Sequence, residues 1–320
     1  MLRPAYEVKI GSDSYGPSAR TPLLGIIVDL AMDIPNDSAT IALGPTDKAS
    51  STKKGETVSI GLGYDDKLVD VFKGEIFNVE PNVSSVRLLA LNSVSRLLKK
   101  RTNQVFENQS AGDIVKDLAK KAQVKTKDVS SGLSFPMYVV DDSKSVYDHI
   151  KDLALKCGFD VYMTPDDSLV FKKYERSKAH LLEYGKNIIE ADFDDETSIT
   201  EGVIVQGESP SSFKGASTSH WISKRRVEAM SGKGDYAWIR DPTIKDQDTA
   251  SKMVNAQLGE LSRTFSGTVK TIGMPAVKLG DTIEVKKMKN SKLNGEFQVR
   301  GVEHLLSKSA GFVSTVDWRK

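Results

Sequence analysis

Gly55-Glu56-Thr57-Val58-Ser59-Ile60 stands near one end of the chain, and Gly280-Asp281-Thr282-Ile283-Glu284-Val285 stands near the other. Each stretch opens on glycine, an acid, threonine and a β-branched residue, and then alternates. Glycine tolerates positive φ and the acid can close a turn, so both read as tight turns feeding a strand. The agreement continues downstream. Gly74-Glu75-Ile76-Phe77-Asn78-Val79-Glu80 follows the first, and Gly295-Glu296-Phe297-Gln298-Val299-Arg300-Gly301-Val302-Glu303 follows the second. The strands after those are Val86-Arg87-Leu88-Leu89 and Phe312-Val313-Ser314-Thr315-Val316. Two unrelated hairpins could share turn chemistry, but matched order over three strands goes beyond it. The reading is therefore one β-domain present twice in a single chain. A ring of three such chains would present six similar domains.

Around these anchors the first hundred residues read as short strands. Tyr6–Ile10, Ile26–Met32, Ser38–Leu43, Thr57–Leu62, Val69–Phe72, Ile76–Glu80 and Val86–Leu91 are separated by Gly, Pro, Asn and Asp. That pattern predicts a small antiparallel barrel or sandwich over 1–98. Residues 99–190 read as a separate α+β unit. Ser110 and Asp113 cap a helix with Ile114, Val115, Leu118, Ala119 and Ala122 on one face. A second helix starts at Ser145 and stops at Gly158, and a hairpin turns at Pro165–Ser168. Residues 191–320 return to strands. This part holds a strand at Gly202–Gly207, a Ser/Gly/Lys-rich loop over 207–235 and one helix over 246–262 capped by Asp246 or Asp248. The fold class expected is α+β, mainly β: two antiparallel β-barrel or sandwich domains with an α+β insertion between them.

Composition excludes several functions. Of 320 residues, 45 are Lys or Arg and 43 are Asp or Glu, a net charge of +2 that makes no case for nucleic-acid recognition. The single cysteine, Cys157, cannot form an internal disulfide, which suits assembly in the cytoplasm. Apolar runs such as Leu23–Leu30 are too short to span a bilayer, and Met1-Leu2-Arg3-Pro4 is no signal peptide, so neither a membrane anchor nor individual secretion is expected. His149, His180, His220 and His304 are scattered without metal-site spacing. No nucleophile elbow, P-loop or dinucleotide fingerprint is present, and Gly61-Leu62-Gly63 reads as glycines for close backbone approach. Asp192, Asp194, Asp195 and Glu196 could bind a cation or place two catalytic carboxylates, but read more simply as a solvated turn. Lys99-Lys100-Arg101 and Lys224-Arg225-Arg226 read as exposed charge able to meet an acidic partner, and Cys157 as a core residue. No catalytic residue, cofactor site or metal site is assigned, and the chain is not expected to be an enzyme.

The C-terminal third carries a longer pattern. It runs through Arg263-Thr264-Phe265-Ser266-Gly267, Gly273-Met274-Pro275, Leu279–Ile283, Leu293–Val299, Val302-Glu303-His304 and Gly311–Thr315. Phe72–Ile76, Phe106–Ser110 with Asp113–Val115, and Val203–Pro210 fit the same scheme upstream. Together they resemble the late control protein D family of contractile phage tails, and are similar to the baseplate hub of large myophages and the N-terminal half of the type VI secretion spike protein. The resemblance spans nearly the whole chain in order, although each motif alone is weak. It implies that the two β-domains are tube-like and that a homotrimer forms a pseudo-hexameric ring between the hexameric tail tube and the trimeric central spike. The implied partners are the chain itself, a spike, tail-tube or tube-initiator subunits, and baseplate wedge and tape-measure proteins. The product would be part of a phage tail or phage-tail-like particle. Because the chain ends at Lys320, the spike is expected to be a separate polypeptide. Within this resemblance Gly280-Asp281 and Asn294-Gly295 would set hairpins, Gly273-Met274-Pro275 a bend, and His304 would be a packing or interface residue. Two other readings stay open: a tail-associated cell-wall hydrolase using Asp192, Asp194 or Glu196, and a tail-tube or adaptor protein. Tube subunits generally carry one copy of the domain, so the duplication argues against the latter.

Overall fold

A computed structural model describes residues 3–17, 22–35, 37–65, 67–196, 200–208 and 227–320. The first β unit contains β1 (Pro4–Ile10), β2 (Asp13–Tyr15), β3 (Leu23–Ala31), β4 (Ser38–Leu43), the short α1 (Asp47–Ser50), β5 (Thr57–Tyr64), β6 (Lys67–Pro81) and β7 (Val86–Leu91). The middle holds α2 (Val94–Lys99), β8 (Gln104–Ser110), α3 (Ala111–Lys121), β9 (Lys125–Val129), β10 (Ser134–Val140), α4 (Val146–Cys157), β11 (Asp160–Met163) and β12 (Ser168–Lys172). Then follow β13 (His180–Glu183), β14 (Ile188–Asp195), β15 (Gly202–Gly207), β16 (Glu228–Gly232), β17 (Tyr236–Asp241) and α5 (Gln247–Leu261). The chain closes with β18 (Phe265–Ile272), β19 (Thr282–Lys286), β20 (Gly295–Ser307) and β21 (Gly311–Arg319).

The protein is α+β and mainly β, with two antiparallel β units and an α+β unit between them. Both β units belong to one 13-stranded sheet ordered β14-β18-β21-β20-β3-β4-β7-β6-β5-β1-β2, with β19 on β20 and β13 on β19. One apolar core runs beneath both, from Val8, Ile26 and Ile60 to Phe297, Val316 and Trp318. A second core serves the α+β unit and also takes in Val203 and Val205 of β15 and Met253 and Val254 of α5. Packing rather than chain order decides this: Gln257 on α5 donates to the Leu155 carbonyl at 2.6 Å, and the αL turn at Gly158 lies against Ala256.

Local chemistry explains the helices. Ser145 and Asp148 form a capping box at the start of α4, and Gly158 ends it at φ +65°. Ser110 caps α3 by accepting from the Asp113 N–H, and Asp246, rather than Asp248, caps α5. Two expectations change. The loop read over 207–235 contains β16 in its last part, while 209–226, with His220 and Lys224-Arg225-Arg226, lie outside the described residues. The acidic stretch read as a turn is largely β14, with Ala191 and Phe193 packed on the core and Asp192 and Asp194 exposed. A period of two was present there, hidden by the charge of every outward position.

Candidate assembly interface

The duplication is visible bond for bond. Gly55 and Gly280 both take positive φ, +87° and +79°. The Gly55 N–H donates to the Ile76 carbonyl and the Ile76 N–H to the Glu56 carbonyl, at 2.8 and 2.9 Å. The Gly280 N–H donates to the Val299 carbonyl and the Val299 N–H to the Asp281 carbonyl, at 3.1 and 2.9 Å. Ile76 therefore corresponds to Val299. The middle strand of each copy then bulges at the next residue, Phe77 in β6 and Arg300 in β20. The outer strands agree as well: β3 on β4 and β14 on β18 share their pairing, including a bulge at Leu24 and at Ile189. Five strands, β3-β4-β7-β6-β5, are thus repeated as β14-β18-β21-β20-β19. Bulges are features a fold keeps deliberately, so their recurrence marks one architecture used twice.

This register corrects the alignment drawn from sequence by two residues. Phe72 pairs with Ile60 and Gly74 with Val58, whereas Gly295 pairs with Val285 and Phe297 with Ile283. Gly74 therefore corresponds to Phe297, and Phe72 to Gly295. Each copy fills this place with one phenylalanine, from positions two apart. A Cβ on Gly74 would sit 2.9 Å from the Phe72 ring.

The two copies join where β20 runs antiparallel to β3, from Gly301 opposite Ala31 to Ser307 opposite Gly25. Arg300, at the bulge, reinforces that joint. Its guanidinium bonds Asp33 beyond β3 and Asp160 on β11, and Asp160 also accepts from Gln298 at 2.6 Å. Burial alone would raise Asp33, but the hydrogen bond and charge of Arg300 outweigh it and hold the carboxyl below its usual range. Lys151 of α4 donates to the Met32 carbonyl at 3.1 Å, so the seam ties three parts of the chain together. Cavities of about 570 and 300 Å³ flank it.

At two places along the continuous sheet, its β14 edge and the end of the interior strand β6, the pairing stops. Among the described residues β14 pairs only with β18. Among the same residues the far side of β6 beyond Ile76 has no strand partner, and Phe77 beside it is 48% exposed. Elsewhere Val105 and Val139 face each other across β8 and β10 with both side chains exposed.

None of the residues considered for chemistry forms a catalytic constellation among those described. Asp192 and Asp194 border the larger cavity with Asp317, whose carboxylate accepts from Thr268 at 2.7 Å. No group of three or more His, Cys, Asp or Glu side chains there is placed to hold a metal ion. His149 bonds the Asp141 carbonyl at 2.9 Å and His180 the Asp281 carboxylate at 2.8 Å. His304 is buried against Ser314, 2.8 Å away, and burial drops its pKa to about 4. Burial pushes the Cys157 thiol up to about 11, the opposite of nucleophile activation. Arg101 donates to the Asp142 and Ser143 carbonyls, and Lys99 lies over the Phe77 ring. On Gly63 an added Cβ would meet the Lys67 carbonyl at 1.8 Å, the close approach read for that glycine. No helix among the described residues is long and apolar enough to cross a membrane.

A sheet duplicated in this way, buttressed by an α+β unit, is the fold of phage tail proteins. The 43 kDa tail protein of prophage MuSo2 from Shewanella oneidensis superposes with a TM-score of 0.74 at 12% identity, over 98% of each chain. A tail protein from Neisseria meningitidis gives 0.73 at 16% identity, over 99% of this chain and 97% of that one. Escherichia coli c3393, described as a type VI secretion component structurally similar to the T4 tail proteins gp27 and gp5, gives 0.61 at 10% identity, over 97% and 76%. Residues 45–308 match the family described as the Alg8 N-terminal domain, and the chain belongs to that family. The uncharacterized protein YqbQ of Bacillus subtilis is 30% identical over 101 residues, which are 31% of this chain and 30% of YqbQ. The match thus spans about a third of that relative's length. The resemblance read in the sequence is met at the level of the fold.

Proposed function

We propose that the chain is a structural baseplate hub subunit of a contractile phage tail or phage-tail-like injection system. Three copies close into a ring of six β units that joins the hexameric tail tube to the trimeric central spike. One observation carries this reading: five strands recur in the same order with the same two bulges, so one chain supplies two equivalent ring segments. Three chains then satisfy six-fold and three-fold partners together. In this division residues 1–98 and the β14 and β18–β21 part of 191–320 supply the ring, while 99–190 form the outer buttress together with β15–β17 and α5, which pack in its core. The work is geometric, without catalysis, cofactor or metal, in a particle component assembled in the cytoplasm. Its partners would be a second and third copy, the spike, tail-tube or tube-initiator subunits, and wedge and tape-measure proteins.

Light scattering at micromolar concentration tests the reading, with a trimeric mass expected near three times 35.1 kDa. A tube subunit in the same solution should stack on that trimer and not on a dissociated chain. A stable monomer that binds no tube subunit would sink it. Clearing of peptidoglycan in a zymogram, lost in Asp192→Asn or Asp194→Asn, would replace it with the hydrolase.

A further inference from the structure

The joint inside one chain dictates the joint between chains. In the repeat, β14 corresponds to β3, Asp194 to Asp29, and Phe193 to Val28. The end of β6 corresponds to the start of the β20 segment that pairs with β3: Asn78 to Gly301, Val79 to Val302, Glu80 to Glu303. Yet within the chain β20 has β3 beside it, while the end of β6 and the outer edge of β14 have no strand partner among the described residues. An unpaired edge is a template for another strand. We infer that β14 of one copy pairs antiparallel with the end of β6 in the next copy, in the register that β3 and β20 already use. Val79 then stands opposite Asp195 of the next copy, Glu80 opposite Asp194, and Asn78 opposite Glu196. The inference rests on the ring reading above and adds which edges meet and in what register.

Hydrogen-bond direction supports it. The Met32 N–H donates to the Arg300 carbonyl at 2.9 Å, so the even residues of β3 aim their N–H groups at β20. Translated through the repeat, Phe193 and Asp195 aim outward from β14. The Glu196 N–H does point the other way, to the Thr264 carbonyl ahead of β18 at 3.0 Å. On β6, the Asn82 N–H closes the hairpin onto the Ser85 carbonyl at 2.8 Å, which leaves Val79 aimed outward. Val79 and Asp195 can therefore exchange both backbone bonds. Pro81, next in line, has no N–H to give, yet its carbonyl can accept from Phe193. The acid pair expected across the joint, Glu80 with Asp194, already has an internal counterpart in Glu303 with Asp29. Phe193, half-buried where its counterpart Val28 is fully buried, gains a cover.

Glu80 and Asp194 would be a non-hydrogen-bonded pair, the closer kind, so cysteines there are within disulfide reach. The double variant Glu80→Cys with Asp194→Cys, oxidised mildly, should give covalent species that stop at three chains on a non-reducing gel. Each single variant should give none. Separately, Asp195→Pro removes only an outward N–H, so the chain should keep its circular dichroism while the concentration for half-association rises tenfold or more. If the wild type is a trimer but the double cysteine variant does not crosslink and Asp195→Pro does not weaken association, this joint is overturned and the ring is left standing. A wild-type monomer would overturn the ring and the joint together.

Discussion

Phe77 and Arg300 occupy the same bulge in the two copies of one β unit, and they do opposite things. Arg300 is buried and holds Asp33 and Asp160, so its bulge locks the second copy onto the first and onto the α+β unit. Phe77 is half exposed, partnered in the described structure by the Lys99 ammonium over its ring. The backbone device is identical, and the neighbourhood decides its use. Where the joint lies within the chain, folding can bury an ion pair once and permanently. Where the equivalent edge is open, the same position carries an apolar group that can be covered and uncovered without stranding a charge.

The largest effect should come from breaking the filled bulge. Arg300→Ala leaves the Asp160 carboxylate, only 9% exposed, without its cation. Uncompensated buried charges of this kind cost about 3–5 kcal/mol. Urea denaturation of wild type and variant measures the loss, and a difference below about 1 kcal/mol would show that the seam does not hold the copies together. Phe77→Ala should instead leave chain stability almost unchanged.

His304 offers the next contrast, because its counterpart in the first copy is Pro81 and cannot titrate. Ser314 accepts from the Met274 N–H at 2.8 Å and is left to donate to His304 Nδ1, which fits a neutral ring. With the folded pKa near 4 and the unfolded one near 6.5, the unfolded chain takes up the proton first as pH falls. The contribution of His304 to stability is then whole above pH 6.5 and declines by about 3 kcal/mol toward pH 4. His304→Gln should flatten this slope in denaturation midpoints measured from pH 7 to pH 4. Asp37, raised to about 7 by burial, pulls the other way over the same range, so the His304 part is read as the difference between wild type and variant. Gly74 comes third. A methyl there would press on the Leu91 carbonyl at 2.4 Å and on Phe72, so Gly74→Ala should cost about 1–3 kcal/mol in the same assay.

How far these contrasts could be read from sequence depended on the range of the chemistry. Gly55-Glu56 and Gly280-Asp281 announced the repeat because a turn is written in adjacent residues. Ser145 and Gly158 announced α4 for the same reason, and the structure adds Asp148 as the second half of its capping box. The register of the repeat was not legible. Strand side chains alternate with a period of two, so a slip of two residues preserves every inward and outward position, and the exchanged Phe72/Gly74 and Gly295/Phe297 favour the slipped alignment. The seam was invisible, since Arg300 lies 267 residues from Asp33 and 140 from Asp160 and no local pattern connects them. The edge role of β14 was masked by its acids, which read as a turn. An edge strand carries outward charge because its exposed ladder is otherwise sticky, so the charge that hid the strand also marks it as an edge.

The smallest effect separates the inner joint from the outer one. Glu303 faces Asp29 across β20 and β3, and Asp29 titrates above its usual range because burial disfavours its charge and Asp317 repels it. Facing like charges weaken a ladder, while an opposite pair adds roughly 0.2–1 kcal/mol. Glu303→Lys should therefore raise the urea midpoint of the isolated chain slightly. Glu80→Lys makes the same exchange at the equivalent place, where the facing acid, Asp194, belongs to a neighbouring copy. Within its own chain Glu80 stands opposite Arg87 on β7 and accepts from Asn78 at 2.9 Å. The exchange should therefore lower the midpoint of the dissociated chain slightly, by roughly 0.2–1 kcal/mol, while it tightens association. A Glu80→Lys chain stabilised as a monomer would mean that Glu80 already faces an acid within its own fold, and the correspondence between the two joints would fail at that point.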